Sequence, residues 1–304
     1  MLRFSAMTLD RCSSQRKDSA WVKEQKLNAG FLILCDDKNL VCGDSYRPII
    51  FSYEQIVSSA LEDSEMVFLG VQSSQPMFAI DVTGMELDSH LLNQGKWNEL
   101  RQIASHLDND TASFLMLSRG LCHWHKNNRF CGRCGQHTRS IEGGHSLVCS
   151  NEKCGHQSFP RTDAAVIMTV TKQFEDGLER ILLGRQKSWV KGVYSCLAGY
   201  VDQGETLEQT VRREVFEESG IIVGDVKYIA SQPWLFPSSL MLGFSAIAET
   251  EQISVDEDEI ESAKWFSRDE LVRFAEYSDG VDGYKLPRKD SISRFLMEQW
   301  LNQA

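Results

Sequence analysis

The segment "GYVDQGETLEQTVRREVFEESGI", residues 199–221, combines an apolar stripe with a crowd of glutamates. Leu207, Val211 and Val215 stand four apart, which predicts a helix from Thr206 to Ser219 ended by Gly220 as a left-handed cap. Glu214 and Glu218 are also four apart, and Glu217 lies beside them on an adjacent flank. Carboxylates one turn apart repel one another. A solvated acidic face is the usual fate of such a run, but it leaves the glycine-bounded loop and the spacing without a reason. Magnesium or manganese would offset the repulsion, because both take carboxylate oxygens and keep waters in their remaining positions. Such ions neutralise phosphate charge, orient a diphosphate and acidify a bound water. Glu205, in the loop entering the helix, can reach back, with Arg213 as its partner.

A second constellation lies upstream. Cys131-Gly-Arg-Cys134 and Cys149-Ser-Asn-Glu-Lys-Cys154 form a CxxC and a CxxxxC separated by fourteen residues. Four thiolates complete a tetrahedral shell round one zinc and leave no open position for water, so a structural role is expected. Gly135 and Gly155 suit the tight turns. The intervening "HTRSIEGGHSLV" reads as strand, Gly-Gly turn and strand. With the four cysteines sufficient, packing or hydrogen bonding is expected of His123 and His125. The other five of the nine cysteines (Cys12, Cys35, Cys42, Cys122 and Cys196) sit mostly beside apolar neighbours and read as buried, reduced thiols.

The 304 residues are 42% hydrophobic and 25% charged, a core-forming balance, with net charge -11 and pI near 5.2. That charge argues against a general basic nucleic-acid binder and suits a protein that meets anions through divalent cations. No apolar run is long enough to span a bilayer and no secretory leader is evident, so a cytoplasmic location and no membrane partner are expected. Hairpins are predicted at 30–42 and 66–81, and a broken helical pattern at 97–127. Beyond Arg161, strands alternate with the quoted helix, and "DELVRFAEY" and "SISRFLMEQWL" are predicted helices. The segment "SQPWLFPSSLM" (231–241) places two prolines and two aromatics in a predicted short loop. It is either a rigid wall for a nucleobase or a loop capping the core.

Residues 199–221 resemble a complete Nudix box: Gly199, five residues, Glu205, seven residues, Arg213-Glu214-Val215, one residue, Glu217-Glu218, one residue, Gly220-Ile221. With the cysteine cluster and "SQPWLFPSS", the chain resembles the zinc-ribbon NADH pyrophosphatases, although Leu235 stands where their signature has proline. "LDRCSSQRKDSAW" (9–21), "HWHKNNRFCGRCG" and "HQSFPRTDAAVI" extend the resemblance over nearly the whole chain. It implies an α+β protein. A Nudix fold, a mixed β-sheet between helices (161–304), would follow a four-cysteine zinc ribbon (127–160) and an N-terminal α/β domain (1–126).

The resemblance also implies hydrolysis of the diphosphate of NADH or NAD to nicotinamide mononucleotide and AMP, with NAD-capped RNA as a further substrate and a homodimer as the assembly. By carry-over, Glu214, Glu217, Glu218, Glu259 and the Ala198 carbonyl hold two to three magnesium or manganese ions, and Glu218 polarises the attacking water. Gly199, Glu205, Arg213 and Gly220 shape the box. Substrate contacts fall to Phe159, Tyr200 and the run Gln232, Pro233, Trp234, Leu235, Phe236, Pro237, Ser238 and Ser239, with weaker matches at Arg101 and Ser293. The family usually has alanine where Ser293 stands. Two alternatives are another Nudix pyrophosphatase, such as an ADP-ribose hydrolase, and a zinc-ribbon nucleic-acid-binding regulator with a silent Nudix domain. The second would have lost box glutamates, and none is missing.

Overall fold

The computed structural model describes residues 2–86, 93–256 and 258–303. It forms two compact units, one of Phe4–Thr162 with Leu235–Ser238, the other of Met1–Arg3, Asp163–Trp234 and Ser239–Ala304.

The first unit contains helix α1 (Ser19–Gln25), strands β1 (Gly30–Cys35), β2 (Lys38–Val41) and β3 (Phe51–Ser52), helix α2 (Tyr53–Ser58), and strands β4 (Met66–Gln72), β5 (Gln75–Asp81) and β6 (Lys96–Glu99). Helices α3 (Leu100–Ile103) and α4 (Asn109–Asn127) follow, then ribbon strands β7 (Thr138–Ile141), β8 (Ser146–Cys149) and β9 (Gln157–Ser158). The main sheet runs β4-β5-β1-β2-β6 with β3 on β1, and the ribbon sheet runs β7-β8-β9. Both expected hairpins form. Asp36–Asp37 and Ser73–Ser74 turn them with positive φ at both residues, the combination that matches the right-handed strand twist. Residues 97–99 depart from the expected helix. Trp97 and its neighbours pair with β2, and the long helix starts only after Asp108, whose side chain accepts from the Thr111 N–H at 2.8 Å. Cys42 is exposed, unlike the buried Cys12, Cys122 and Cys196; it follows β2 directly, in the turn that closes on Arg47.

The second unit contains β10 (Asp163–Gln173), β11 (Glu179–Arg185), β12 (Leu197–Tyr200), helix α5 (Leu207–Ser219), β13 (Val223–Trp234), β14 (Ser239–Ala248), β15 (Ser262–Ser267), and helices α6 (Arg268–Leu271) and α7 (Ile292–Leu301). Its sheet runs β13-β14-β10-β11-β15 with β12 on β10; β10 and β14 are parallel and the other pairs antiparallel. Alternation along β10 builds two core layers. Val166, Met168 and Val170 join Val211 and Val215 of α5 on one face, while Ile167 joins Ile292, Leu296 and Met297 of α7 on the other. Val211 and Val215 are fully buried, each contributing about 1.5–3 kcal/mol. The helix expected at 269–277 stops at Leu271, and Ala275 bridges in parallel to Lys285, which draws the chain into extended form. No helix among the described residues is long and apolar enough to cross a membrane.

Candidate active site

Helix α5 starts where predicted. Thr206 Oγ1 accepts from the Gln209 N–H at 3.2 Å, and Gln209 Oε1 accepts from the Thr206 N–H at 2.8 Å, a reciprocal cap that satisfies two helix-end donors. The helix ends at Gly220, whose φ of 70° and N–H to the Phe216 carbonyl at 2.7 Å make the left-handed cap. The loop before it is held by Arg213. Its Nε donates to Glu205 Oε1 at 2.7 Å and its Nη2 to Glu205 Oε2 at 2.8 Å, a fork geometry that only a guanidinium offers. Nη2 also reaches the Tyr200 carbonyl at 3.0 Å. Thr210, fully buried, adds its hydroxyl to Glu205 Oε2 at 2.9 Å. Arg213 holds the Glu205 carboxyl down at about 2, with the Asp202 N–H and Thr210 hydroxyl assisting against burial.

Arg213 Nη1 also donates to Glu214 Oε1 at 2.9 Å and Glu217 Oε2 at 2.8 Å. One guanidinium therefore compensates three carboxylates, and the fourth is left out. Glu218 is 6% exposed, and its Oε2 is buried without a hydrogen-bond partner. Burial, followed by the charges of Glu214 and Glu259, pushes its carboxyl up to about 8, while a backbone hydrogen bond at Ala198 acts in the opposite sense. Burial also raises Glu214, and Glu217 and Glu259 add to the rise. Glu214 and Glu259 thus lie close enough to Glu218 to act on its charge, with Ala198 at its backbone hydrogen bond, and Glu217 acts on Glu214. A buried acceptor with no donor, among further carboxylates, is an all-oxygen set suited to magnesium or manganese. Gly199 leaves room for Glu214 here: a β-carbon on it would lie well inside van der Waals contact of the Glu214 carboxyl atoms, so that side chain would have to move away.

The cysteines meet as expected. The Sγ atoms of Cys131, Cys134, Cys149 and Cys154 all lie within 4.8 Å of one another, with Cys131–Cys154 at 3.9 Å and Cys134–Cys149 at 3.4 Å. A closed set of four sulfurs is the chemistry of a structural zinc site. Among the described residues it is the only group of three or more such side chains drawn so closely. His123 and His125 stand apart from it. His123 Nδ1 faces Asp37 Oδ2 at 3.2 Å, and His125 bonds Glu65 Oε1 at 3.1 Å and the Gly144 carbonyl at 2.7 Å.

The signature segment is less of a loop than expected. Gln232, Pro233 and Trp234 continue β13 opposite Met241, Leu240 and Ser239; β13 is an edge strand, where proline costs no ladder bond on its outer side. Leu235–Ser238 alone form the turn. Arg119 donates to the Leu235 carbonyl and lies over the Phe236 ring at 4.8 Å, while Leu235 fills the space above Gly120 of α4. Gln232 is fully buried and its amide is spent internally. It donates to the Arg3 and Asp290 carbonyls at 3.0 and 2.8 Å and accepts from the Ile292 N–H at 2.8 Å. Ser293 is likewise buried, accepting from the Ser195 hydroxyl at 2.7 Å and the Cys196 N–H at 3.0 Å. Both side chains are engaged in hydrogen bonds at the start of α7. Tyr200 is 57% exposed and Phe159 is 59% exposed, and the Tyr200 hydroxyl meets Ser239 Oγ at 3.2 Å. Arg101 is exposed on α3. Phe159, Arg101 and Leu235–Ser238 belong to the first unit, and the box, Tyr200 and Glu259 to the second. Thr210 and Arg119 were not singled out in the sequence. Thr210 carries a weak signal, a hydroxyl one turn into the helix behind Glu205; Arg119 carries none, because its partner is more than a hundred residues away.

Sheet, glycine-bounded loop and acidic helix together define a Nudix domain. Residues 160–285 match the NUDIX domain, 126–159 the NADH pyrophosphatase zinc ribbon domain, and 28–124 the NADH pyrophosphatase-like rudimentary NUDIX domain. The chain belongs to the zinc-ribbon NADH pyrophosphatase family of Nudix hydrolases. It is similar to the NAD-capped RNA hydrolase NudC of Mycobacterium bovis, with 33% identity over 97% of this chain and 95% of that one. It is also similar to the NAD-capped RNA hydrolase NudC of Pseudomonas aeruginosa, with 41% identity over 71% of this chain and 72% of that one. Identity to the NAD-capped RNA hydrolase NUDT12 of Macaca fascicularis is 41% over 62% of this chain, which spans only 42% of NUDT12.

Proposed function

We propose that this protein hydrolyses the diphosphate of NADH and NAD to nicotinamide mononucleotide and AMP, and removes NAD caps from RNA 5′ ends. The observation that carries the reading is the buried Glu218 carboxylate, without a hydrogen-bond partner at one oxygen, beside Glu214 and Glu259 in a box where one guanidinium, Arg213, is shared among three carboxylates and leaves a net negative charge. Two to three bound magnesium or manganese ions would supply charge neutralisation of the diphosphate and an acidified water. Glu214, Glu217, Glu218, Glu259 and the Ala198 carbonyl would hold them, and Glu218 would take the proton of the attacking water as the new P–O bond forms and the anhydride P–O bond breaks, the second nucleotide phosphate leaving. Tyr200 and Phe159 offer exposed aromatic faces for base stacking. The further candidates for substrate contact are Gln232, Pro233, Trp234, Ser239 and Ser293 in the second unit, and Arg101, Leu235, Phe236, Pro237 and Ser238 in the first. The names of the NudC and NUDT12 relatives support the removal of NAD caps, and the NADH pyrophosphatase descriptions of the matched ribbon and N-terminal domains support NADH hydrolysis. The reading takes 1–126 as the N-terminal domain, 127–160 as a ribbon holding one structural zinc, and 161–304 as the hydrolase domain, in a cytoplasmic homodimer.

Turnover of NADH, NAD, ADP-ribose and NAD-capped RNA by the purified protein, with magnesium or manganese, tests the proposal. The expected result is release of AMP and reduced nicotinamide mononucleotide from NADH. Preferential cleavage of ADP-ribose, or no cleavage of any of them, would overturn it. Hydrolysis in oxygen-18 water identifies the phosphorus attacked.

A further inference from the structure

The first unit holds a cavity of about 310 Å³, at the lower end of the roughly 300–1,000 Å³ range of small-molecule sites. Its titratable lining is Arg11, Arg161, His123 and His145, and among the described residues no carboxylate lines it. In a chain with 43 acidic and 32 basic residues, such a lining runs against composition. Arg11 forms no ion pair among the described residues. Its Nη1 meets only the Met7 sulfur at 3.8 Å, and its Nε is buried without an acceptor. Trp124, also in the wall and 6% exposed, has an Nε1–H with no acceptor. Buried donors without partners are uncommon, and these two are closed off, so a ligand reaches them only where the cavity wall yields. His145 is 7% exposed and donates Nε2–H to the Phe68 carbonyl at 2.7 Å, which leaves Nδ1 able to accept from a hydroxyl. Arg16, close enough to disfavour the charge on Arg11, deepens the local positive field. Guanidinium groups, an N–H donor and one hydroxyl acceptor are complementary to a phosphate ester bearing a free hydroxyl.

We propose that this cavity, whose wall includes Leu235, Pro237 and Ser238 of the signature turn, binds the phosphate group of a nucleotide, free or within a nucleotide chain. The proposal deepens the hydrolase reading, with which it shares the signature turn, and rests on it for the assignment of that turn. It gives "LDRCSSQRKD" a task that the metal chemistry does not.

The test is calorimetric titration of the full-length, zinc-loaded protein without added magnesium or manganese, a condition in which the acidic box repels phosphate. Inorganic phosphate, AMP and a 5′-phosphorylated oligoribonucleotide are the three probes. Binding of any of them, weakened about tenfold or more in Arg11→Gln and largely kept in Arg11→Lys and in Glu218→Gln, is the expected result. The tightest of the three identifies the source of the phosphate. If Arg11→Gln is poorly folded, Arg161→Gln replaces it with the same expectation. No binding of any probe, or equal binding by wild type and both arginine variants, would overturn the site. NADH turnover by the same wild-type preparation, measured with magnesium, separates that failure from a failure of the hydrolase reading.

Discussion

The Glu214 carboxyl group occupies the place that a β-carbon on Gly199 would need. The glycine at the head of the box is therefore a matter of space, since the strand must approach the acidic helix closely enough for Glu214 to lie against its backbone. Gly199→Ala should push Glu214 off its hydrogen bond to Arg213 and destabilise the fold by about 1–3 kcal/mol. NADH turnover should fall by about 100-fold, with zinc content unchanged. Comparable turnover in this variant would show that Glu214 does not need its present position.

Glu218→Gln keeps size and shape while removing the buried carboxylate. General-base contributions are typically about 10²–10⁴-fold, and a loss of that order in NADH turnover is expected with the fold intact and, near neutral pH, a denaturation midpoint no lower than wild type, because the neutral amide removes a buried charge. Retained activity would move the chemistry to another glutamate.

The ribbon prediction concerns metal content. About one zinc per chain should be found by atomic absorption. Cys149→Ser should lose it, because an incomplete sulfur shell binds weakly, and unfolding of the first unit should then begin at lower denaturant. A variant that keeps full zinc would show that Cys149 is not a ligand.

His145 gives a pH dependence with a definite sign. Burial, with Arg16 adding to it, holds the ring down at about 4 against the Phe68 carbonyl bond, which works the other way. Its unfolded value is near ~6.5. Between the two, the unfolded chain binds the extra proton, so this contribution is complete above about pH 6.5 and is lost as pH falls towards 4, about 3 kcal/mol in all. His145→Gln should flatten that part of the stability profile relative to wild type in zinc-saturated buffer. Parallel profiles for the two proteins would rule the assignment out.

The box and the ribbon were legible because local periodicity and ligand chemistry fix them. Helix α5, its Gly220 cap and the Arg213–Glu205 pair lie within one short segment, and four cysteines admit few arrangements. What was not legible depended on distant partners. Residues 97–99 carry a helical pattern but pair with β2, and 231–234 read as a loop although β14 holds them as a strand. Gln232 and Ser293 carry family weight as substrate contacts, and the structure spends the Gln232 amide on the Arg3, Asp290 and Ile292 backbone and the Ser293 hydroxyl on Ser195 and Cys196. Nothing in sequence spacing announces a hydrogen bond across 58 residues.

Leu235 and Gly120 form a peg and a notch. A glycine within a helix costs roughly 1 kcal/mol relative to alanine, and here it leaves the hollow that the leucine fills. Changing the peg alone to the proline of the family signature should leave a void, and changing the notch alone to alanine should create a clash. The two exchanged together should be milder than the sum of their separate effects, so these positions are expected to drift through evolution as a pair rather than one at a time.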